Sequence, residues 1–138
     1  IARKHKLPQQ IVDFIRSHHG TNKAEYFYRT FKIKYPNNEI DEELFTYPGP
    51  VPFSRETAVL MIADAVEAAS RSLKNINEET LAKLVDDIIS QKINDDQFMY
   101  ANVTFKDIST VKDIFKKKLI NIYHSRIEYP KDILPSRL

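Results

Sequence analysis

The chain has 138 residues, enough for one domain with a hydrophobic core, and its 21 basic and 19 acidic residues give a formal charge of +2. This near balance argues against a dedicated nucleic-acid surface, which would show a strong basic excess. The low glycine count of two and the lack of long alternating runs argue against an all-β fold. Because cysteine is absent, disulfides and thiolate ligands are excluded, and any metal must be held by His, Asp or Glu.

The first predicted helix spans residues 7–19 and ends in a histidine pair, His18 and His19, followed by Gly20. Its apolar residues share one face of the helical wheel with His18: Leu7, Ile11, Phe14 and Ile15. We therefore expect His18 to point into the protein and His19 to lie at the edge of that face. Gly20 suits the left-handed position that ends a helix. The two imidazoles could either ligate a metal or fill space in the core.

A second helix is predicted from Thr21 or Asn22 to about Tyr35. Its helically spaced stripe is interpreted as core rather than as a stacking platform: Ala24, Phe27, Tyr28, Phe31 and Tyr35. Residues 36–53 form the longest irregular stretch, with a short helical turn expected over 41–45. A loop of this length either lines a pocket, acts as a lid or is a plain connector. Its segment 47–50, Tyr-Pro-Gly-Pro, is stiff and aromatic.

The third helix begins at its cap Ser54 and is apolar on nearly every side from Ala58 to Ala69, so we expect it to be buried. Asp64 lies in the middle of this helix, and a buried carboxylate costs several kcal/mol unless it is paired or bound to a metal. Two interpretations remain open. Asp64 forms an internal ion pair with Arg71 through a neighbouring group, or it ligates a metal while Arg71 faces a substrate further along the helix.

Two more helices complete the prediction of an all-α domain of about five helices. The fourth is capped by Asn77, and its buried stripe is Leu81, Leu84, Val85, Ile88, Ile89 and Ile93. The fifth starts at a capping box over residues 104–107, and its buried face is Ile108, Val111, Phe115, Leu119 and Ile122. Lysines 116–118 are expected to be solvated, and from residue 128 the prolines predict an extended tail.

Three side chains stand out as candidate metal ligands, namely His18, His19 and Asp64. A mixture of imidazole and carboxylate suits iron, manganese or zinc better than magnesium, which prefers oxygen ligands. Such metals generate hydroxide at neutral pH and neutralise phosphate charge, as phosphodiester hydrolysis requires. Three ligands are too few for a site with two metals.

Five stretches together resemble one protein family. They are residues 6–15, His18-His19-Gly20-Thr21, Tyr47-Pro48-Gly49-Pro50, residues 56–69 and residues 122–130. In this order, over nearly the whole chain, they resemble the C-terminal half of the cytoplasmic HD domain of the seven-transmembrane HD receptors. These receptors are membrane-anchored cyclic di-AMP phosphodiesterases of bacteria.

The resemblance implies that residues 1–138 are the C-terminal part of a single HD domain, a helical bundle incomplete at its N-terminus. It implies a hydrolase with two metals, usually iron or manganese, that opens cyclic di-AMP to pApA. His18 and His19 would ligate one metal and Asp64 the other. The His-Asp dyad and two further histidines are expected upstream of Ile1, so we expect the fragment alone to bind metal weakly or not at all and to lack turnover.

The resemblance also implies a cytoplasmic domain of a bacterial cell-membrane protein that reaches the membrane only through upstream segments. No nucleic-acid polymer is expected as a partner, and association into a homo-oligomer is left open. Arg71 and Tyr47 are our predictions for phosphate and adenine contacts, from wheel position and loop stiffness. Two alternatives stand beside the enzyme: a non-catalytic helical module that senses nucleotide or mediates assembly, and an interaction domain whose histidines are ordinary core residues.

Overall fold

The computed structural model describes residues 1–124. Its helices are α1 (Gln9–Ser17), α2 (Glu25–Lys34), α3 (Arg55–Ser70), α4 (Glu78–Asn94) and α5 (Phe105–His124), with a 3-10 helix (Glu42–Phe45) between α2 and α3. Within this range, extended pairing is confined to a single bridge between Lys23 and Thr46. The all-α prediction is confirmed. None of the described helices combines the length and the apolar character needed to cross a bilayer.

Three of the helix starts follow from local hydrogen bonding, as predicted. The Ser54 hydroxyl accepts the backbone N–H of Thr57 at 3.2 Å, and the Thr57 hydroxyl accepts the backbone N–H of Ser54 at 3.0 Å. The same reciprocal cap opens α4, at Asn77 with Thr80, and α5, at Thr104 with Asp107. These bonds satisfy N–H groups that a helix cannot pair internally. The predicted start of the second helix at Thr21 or Asn22 is wrong, because α2 begins at Glu25 after Ala24, which makes no side-chain capping bond.

The core lies among α3, α4 and α5. Its buried cluster consists of Ile62, Val66, Leu81, Val85, Ile89 and Leu119. α4 packs against both α3 and α5, while α1 packs against α3. The predicted stripes of α4 and α5 are largely confirmed, but Ile93 and Ile122 are exposed. Lys92 and the half-buried Tyr123 face inward near them.

The predicted buried face of α1 is wrong. Val12 and Ser17 are the residues of α1 that are buried against the rest of the chain, whereas Ile11 and Ile15 are exposed. The Ser17 hydroxyl donates to the Asp13 carbonyl at 2.7 Å, which satisfies it inside the helix and allows it to be buried. The helix packs against α3.

The interpretation of the α2 stripe as core is also wrong. No residue of α2 is buried, and Phe27 and Tyr35 are exposed. Tyr28 and Phe31 pack instead against Phe45 of the 3-10 helix, with ring centroids 5.7 and 5.5 Å apart. These aromatic residues therefore form a small satellite cluster that holds the predicted turn at 41–45 against α2.

Candidate functional site

A pocket of about 280 Å³ lies where the end of α1 meets the start of α2, the loop around Tyr47 and the middle of α3. Four of the five predicted site residues line it, namely His18, His19, Tyr47 and Asp64. Arg71 does not line it. The pocket therefore joins the candidate metal ligands to the aromatic loop, as their separate positions in the sequence could not show.

His18 caps the C-terminus of α1 and has one ring nitrogen fixed. Its Nδ1 lies 3.0 Å from the carbonyl oxygens of both Phe14 and Ile15. Because carbonyl oxygens only accept, Nδ1 is a hydrogen-bond donor, and Nε2 is the ring nitrogen left for another partner. A histidine that donates through Nδ1 can ligate a metal through Nε2.

His19 is held by aromatic stacking. Its ring centroid lies 4.0 Å from that of His18 and 4.2 Å from that of Tyr47, with the Tyr47 ring inclined by 27°. Partial burial lowers the pKa of His19, the charge of His18 lowers it further, Asp64 opposes the shift and Lys92 adds to it. His19 is therefore neutral at pH 7, in the form that binds metals.

Asp64 is exposed, which corrects the expectation that it is buried on α3. Its side chain keeps 47% of its accessible surface, and its Oδ2 lies 3.7 Å from Nδ1 of His19. The interpretation as an internal ion pair with Arg71 is wrong, because Arg71 pairs with Glu67 through a 2.8 Å contact from Nε to Oε1 and is itself exposed. Asp64 lines the pocket, and its exposure removes the need for the pairing that burial would demand.

The three candidate ligands lie in one pocket without forming a closed metal site. Among the residues that the structure describes, no group of three or more His, Asp or Glu side chains is arranged to hold a metal ion. The donor chemistry nevertheless fits iron, manganese or zinc, since the pocket offers two imidazoles and one carboxylate.

Beneath the histidine pair lies a buried polar network that the sequence analysis missed. Gln97 is 2% exposed, and its amide accepts the Thr21 N–H at 3.0 Å while donating to the Thr21 hydroxyl at 2.9 Å. Gly20 has a φ of +53°, and a Cβ there would lie 2.3 Å from Gln97 Oε1 and 2.6 Å from Met61 Cε. Gly20 thus meets two demands, a left-handed backbone and a close approach of Gln97.

Asn22 links the end of α1 to α4. Its Nδ2 donates to the His19 carbonyl at 2.5 Å, and its Oδ1 accepts from Lys92 Nζ at 2.7 Å. Its own carbonyl accepts the Tyr47 N–H at 3.0 Å. One side chain and its backbone therefore fix the histidine pair, the aromatic loop and a lysine of the facing helix.

Lys92 is buried, with 9% of its surface exposed. Burial lowers the pKa of its ammonium, while Asp95 and Asp64 partly oppose that shift. Its position three residues after Ile89 places it on the buried face of α4. Helical periodicity therefore contained the signal, since Lys92 continues the buried stripe of Val85 and Ile89.

Comparison with known proteins finds relatives that match nearly the whole chain. The cyclic-di-AMP phosphodiesterase PgpH of Bacillus subtilis is 46% identical over 131 residues, covering 95% of this chain and 18% of that protein. PgpH of Listeria monocytogenes is 37% identical over 132 residues, covering 96% of this chain and 18% of that protein. No protein-family model matches.

The solved structure of the HD domain of L. monocytogenes phosphodiesterase PgpH in complex with cyclic-di-AMP matches with a TM-score of 0.82. At 34% identity, the match covers 93% of this chain and 59% of that one. The fold is therefore that of part of an HD domain. The chain is homologous to the PgpH cyclic-di-AMP phosphodiesterases and spans about a fifth of the length of those relatives, 18% in each case.

Proposed function

We propose that this chain is the C-terminal part of an HD phosphodiesterase domain that hydrolyses cyclic di-AMP to pApA. The observation that supports this most strongly is the meeting of His18, His19 and Asp64 in one pocket, in a chain homologous to PgpH along 95% of its length. By the same homology, we place this domain on the cytoplasmic side of a bacterial cell-membrane protein.

The proposed cofactors are two divalent metals, iron or manganese. His18 and His19 would hold one and Asp64 the other, with the remaining ligands supplied by HD-domain residues that this chain does not contain. Bound metals of this kind supply a hydroxide nucleophile and neutralise phosphate charge. His18 supports this role because its Nδ1 is bound to carbonyl oxygens, which leaves Nε2 available.

Tyr47 is proposed to contact an adenine base. One face of its ring stacks on His19, and the ring remains partly exposed at the pocket. A tyrosine ring offers a flat surface for a nucleobase. Stacking on the metal-side histidine would also hold that base beside the reacting phosphate.

Arg71 remains our prediction for a phosphate contact, although it lies outside the pocket and pairs with Glu67. A guanidinium suits bidentate phosphate binding. Substituting Arg71→Ala in the complete protein should raise KM or lower kcat. Unchanged values of both parameters would remove Arg71 from the site.

Hydrolysis by the complete HD domain tests the proposed function. With Fe²⁺ or Mn²⁺ added, the domain should convert cyclic di-AMP to pApA, as measured by chromatography. His18→Ala should lower kcat by about a hundredfold or more, because a metal ligand is lost. The control is His124→Ala, since His124 lies in a different cavity with Ile76 and Leu81. Failure of the metal-loaded wild-type domain to form pApA would contradict the proposal.

A further inference from the structure

Lys92 brings a buried positive charge to the pocket of the histidine pair. It lies near the end of α4, with its stem covered and its Nζ directed to the Oδ1 of Asn22 at 2.7 Å. It lines the same pocket as His19 and Asp64. In that pocket, Oδ2 of Asp64 lies 3.7 Å from Nδ1 of His19.

Among the described residues, Lys92 forms no salt bridge, and Asp95 and Asp64 act on its charge only from a greater distance. Two lysines line this pocket, and the other, Lys23, forms a salt bridge with Glu42. The hydrogen-bond partner of Lys92 is the neutral amide of Asn22. An ammonium has three donors, so two remain available. A buried cation with only a neutral partner is costly unless an anion binds to it.

We propose that Lys92 is a substrate-binding residue that donates a charge-assisted hydrogen bond to a phosphate oxygen of the nucleotide in this pocket. The assignment rests on the proposed function and extends it to a residue outside the candidate metal ligands. A lysine binds phosphate as a compact point charge, which suits a group with two free donors in a covered position.

Asn22 gives this lysine a fixed position relative to the histidine pair. The same amide donates to the His19 carbonyl and accepts from Lys92, so the metal side and the phosphate side of the pocket are held together by one residue. A nucleotide phosphate bound between His19 and Lys92 would find both residues already held in position by Asn22. Preorganisation of this kind lowers the cost of ordering side chains on binding.

Binding of pApA to the metal-loaded, complete HD domain tests the proposal, because pApA has phosphates and is not consumed. We expect Lys92→Met to raise its Kd by about tenfold, the loss of one charge-assisted hydrogen bond. Lys92→Arg, which keeps the charge, should remain within about threefold of wild type. Lys83→Met is the matched control, since Lys83 is exposed on the same helix.

Two further readouts separate a charge role from a structural one. The salt dependence of pApA binding should become shallower in Lys92→Met, because one ionic contact is gone. Asn22→Asp should also weaken binding, because a carboxylate next to Lys92 neutralises its charge. If Lys92→Met fails to fold, Asn22→Asp and the salt dependence of pApA binding to the wild type still test whether the charge of Lys92 contributes to binding.

The outcomes distinguish this proposal from the proposed function. If the wild type hydrolyses cyclic di-AMP and Lys92→Met binds pApA within about twofold of it, the Lys92 assignment is overturned alone. If Lys92→Arg is as weak as Lys92→Met, a phosphate-binding charge is overturned in favour of packing. If pApA binding depends on Lys92 but cyclic di-AMP is not hydrolysed, the proposed reaction fails and the Lys92 assignment stands.

Discussion

Single residues fix the turn that presents the histidine pair. Gly20 reverses the chain directly after His19, and Gln97, 76 residues away from Thr21, holds the turn with two hydrogen bonds. Gly20 is buried against Gln97 and Met61, so the turn has no space for a side chain. The position of the imidazoles therefore depends on residues outside the candidate metal ligands.

We predict that Gly20→Ala destabilises the domain by about 2 kcal/mol or more, from the left-handed backbone and the clash with Gln97. Urea unfolding of both proteins measures the change. In a Gln97→Ala background the same substitution should cost less, since the clash is relieved while the backbone strain remains. A decrease of less than about 0.5 kcal/mol in the free energy of unfolding, in the wild-type background, is what substitution at an ordinary surface position gives and would contradict this account.

The ring of Tyr47 leads to a second prediction about a single side chain. If its ring stacks on adenine as well as on His19, Tyr47→Ala should raise KM for cyclic di-AMP by about tenfold, whereas Tyr47→Phe should stay close to wild type. Steady-state kinetics on the metal-loaded, complete domain provide the comparison. Equal effects of both variants would assign the role to the hydroxyl group and not to the ring.

The interface between α4 and α5 combines apolar core packing with a pair of salt bridges. Asp86 of α4 pairs with Lys116 at 2.7 Å and with Lys112 at 3.2 Å, both on α5. The hydrogen bond from Lys116 is the main cause that lowers the pKa of Asp86, and Lys112 contributes in the same direction. Lys116, expected to be solvated, is instead half-buried in this bridge.

The lowered pKa of Asp86 sets the sign of a pH effect. The carboxylate stabilises the folded state fully above about pH 5 and loses that contribution as the pH falls through its unfolded value, 3.8, to the lower folded one. Asp86→Asn should cost about 1 kcal/mol near pH 7, a modest value because the side chain is 42% exposed. The difference should shrink toward pH 3 in thermal unfolding. A constant difference across this range would contradict the assignment.

The ends of helices could be predicted from the sequence where neighbouring residues determine them. The caps at Ser54, Asn77 and Thr104 and the stop at Gly20 depend on residues within three or four positions, and all four are present. The pairing of Gln97 with Thr21 depends on how α4 packs and could not be found from local spacing. The exposure of Asp64 likewise depends on which side of α3 faces the pocket.

The apolar pattern of α1 is helical, as predicted, yet the face that it forms is not buried within this chain. The predicted apolar stripe is exposed at Ile11 and Ile15 of α1 and at Leu7, which precedes the helix. The chain covers 59% of the matching HD-domain structure. We therefore expect the stripe to contact the part of an HD domain that this chain does not cover.

Ile11→Asp tests this expectation. The substitution should lower the stability of the complete HD domain by about 1–3 kcal/mol, since an apolar contact is replaced by a buried charge. In residues 1–138 alone it should have little effect, because Ile11 is already exposed there. Chemical denaturation of both proteins gives the comparison. Equal losses in the two proteins would show that the stripe packs within this chain.

Metal content is the most direct test of the central claim that His18, His19 and Asp64 are metal ligands of a two-metal phosphodiesterase. Elemental analysis of the complete HD domain, purified with manganese or iron, should give about two metals per chain in the wild type. It should give about one fewer in the His18→Ala/His19→Ala double variant and about one fewer in Asp64→Ala. Full metal content in both variants, with unchanged conversion of cyclic di-AMP to pApA, would contradict the account.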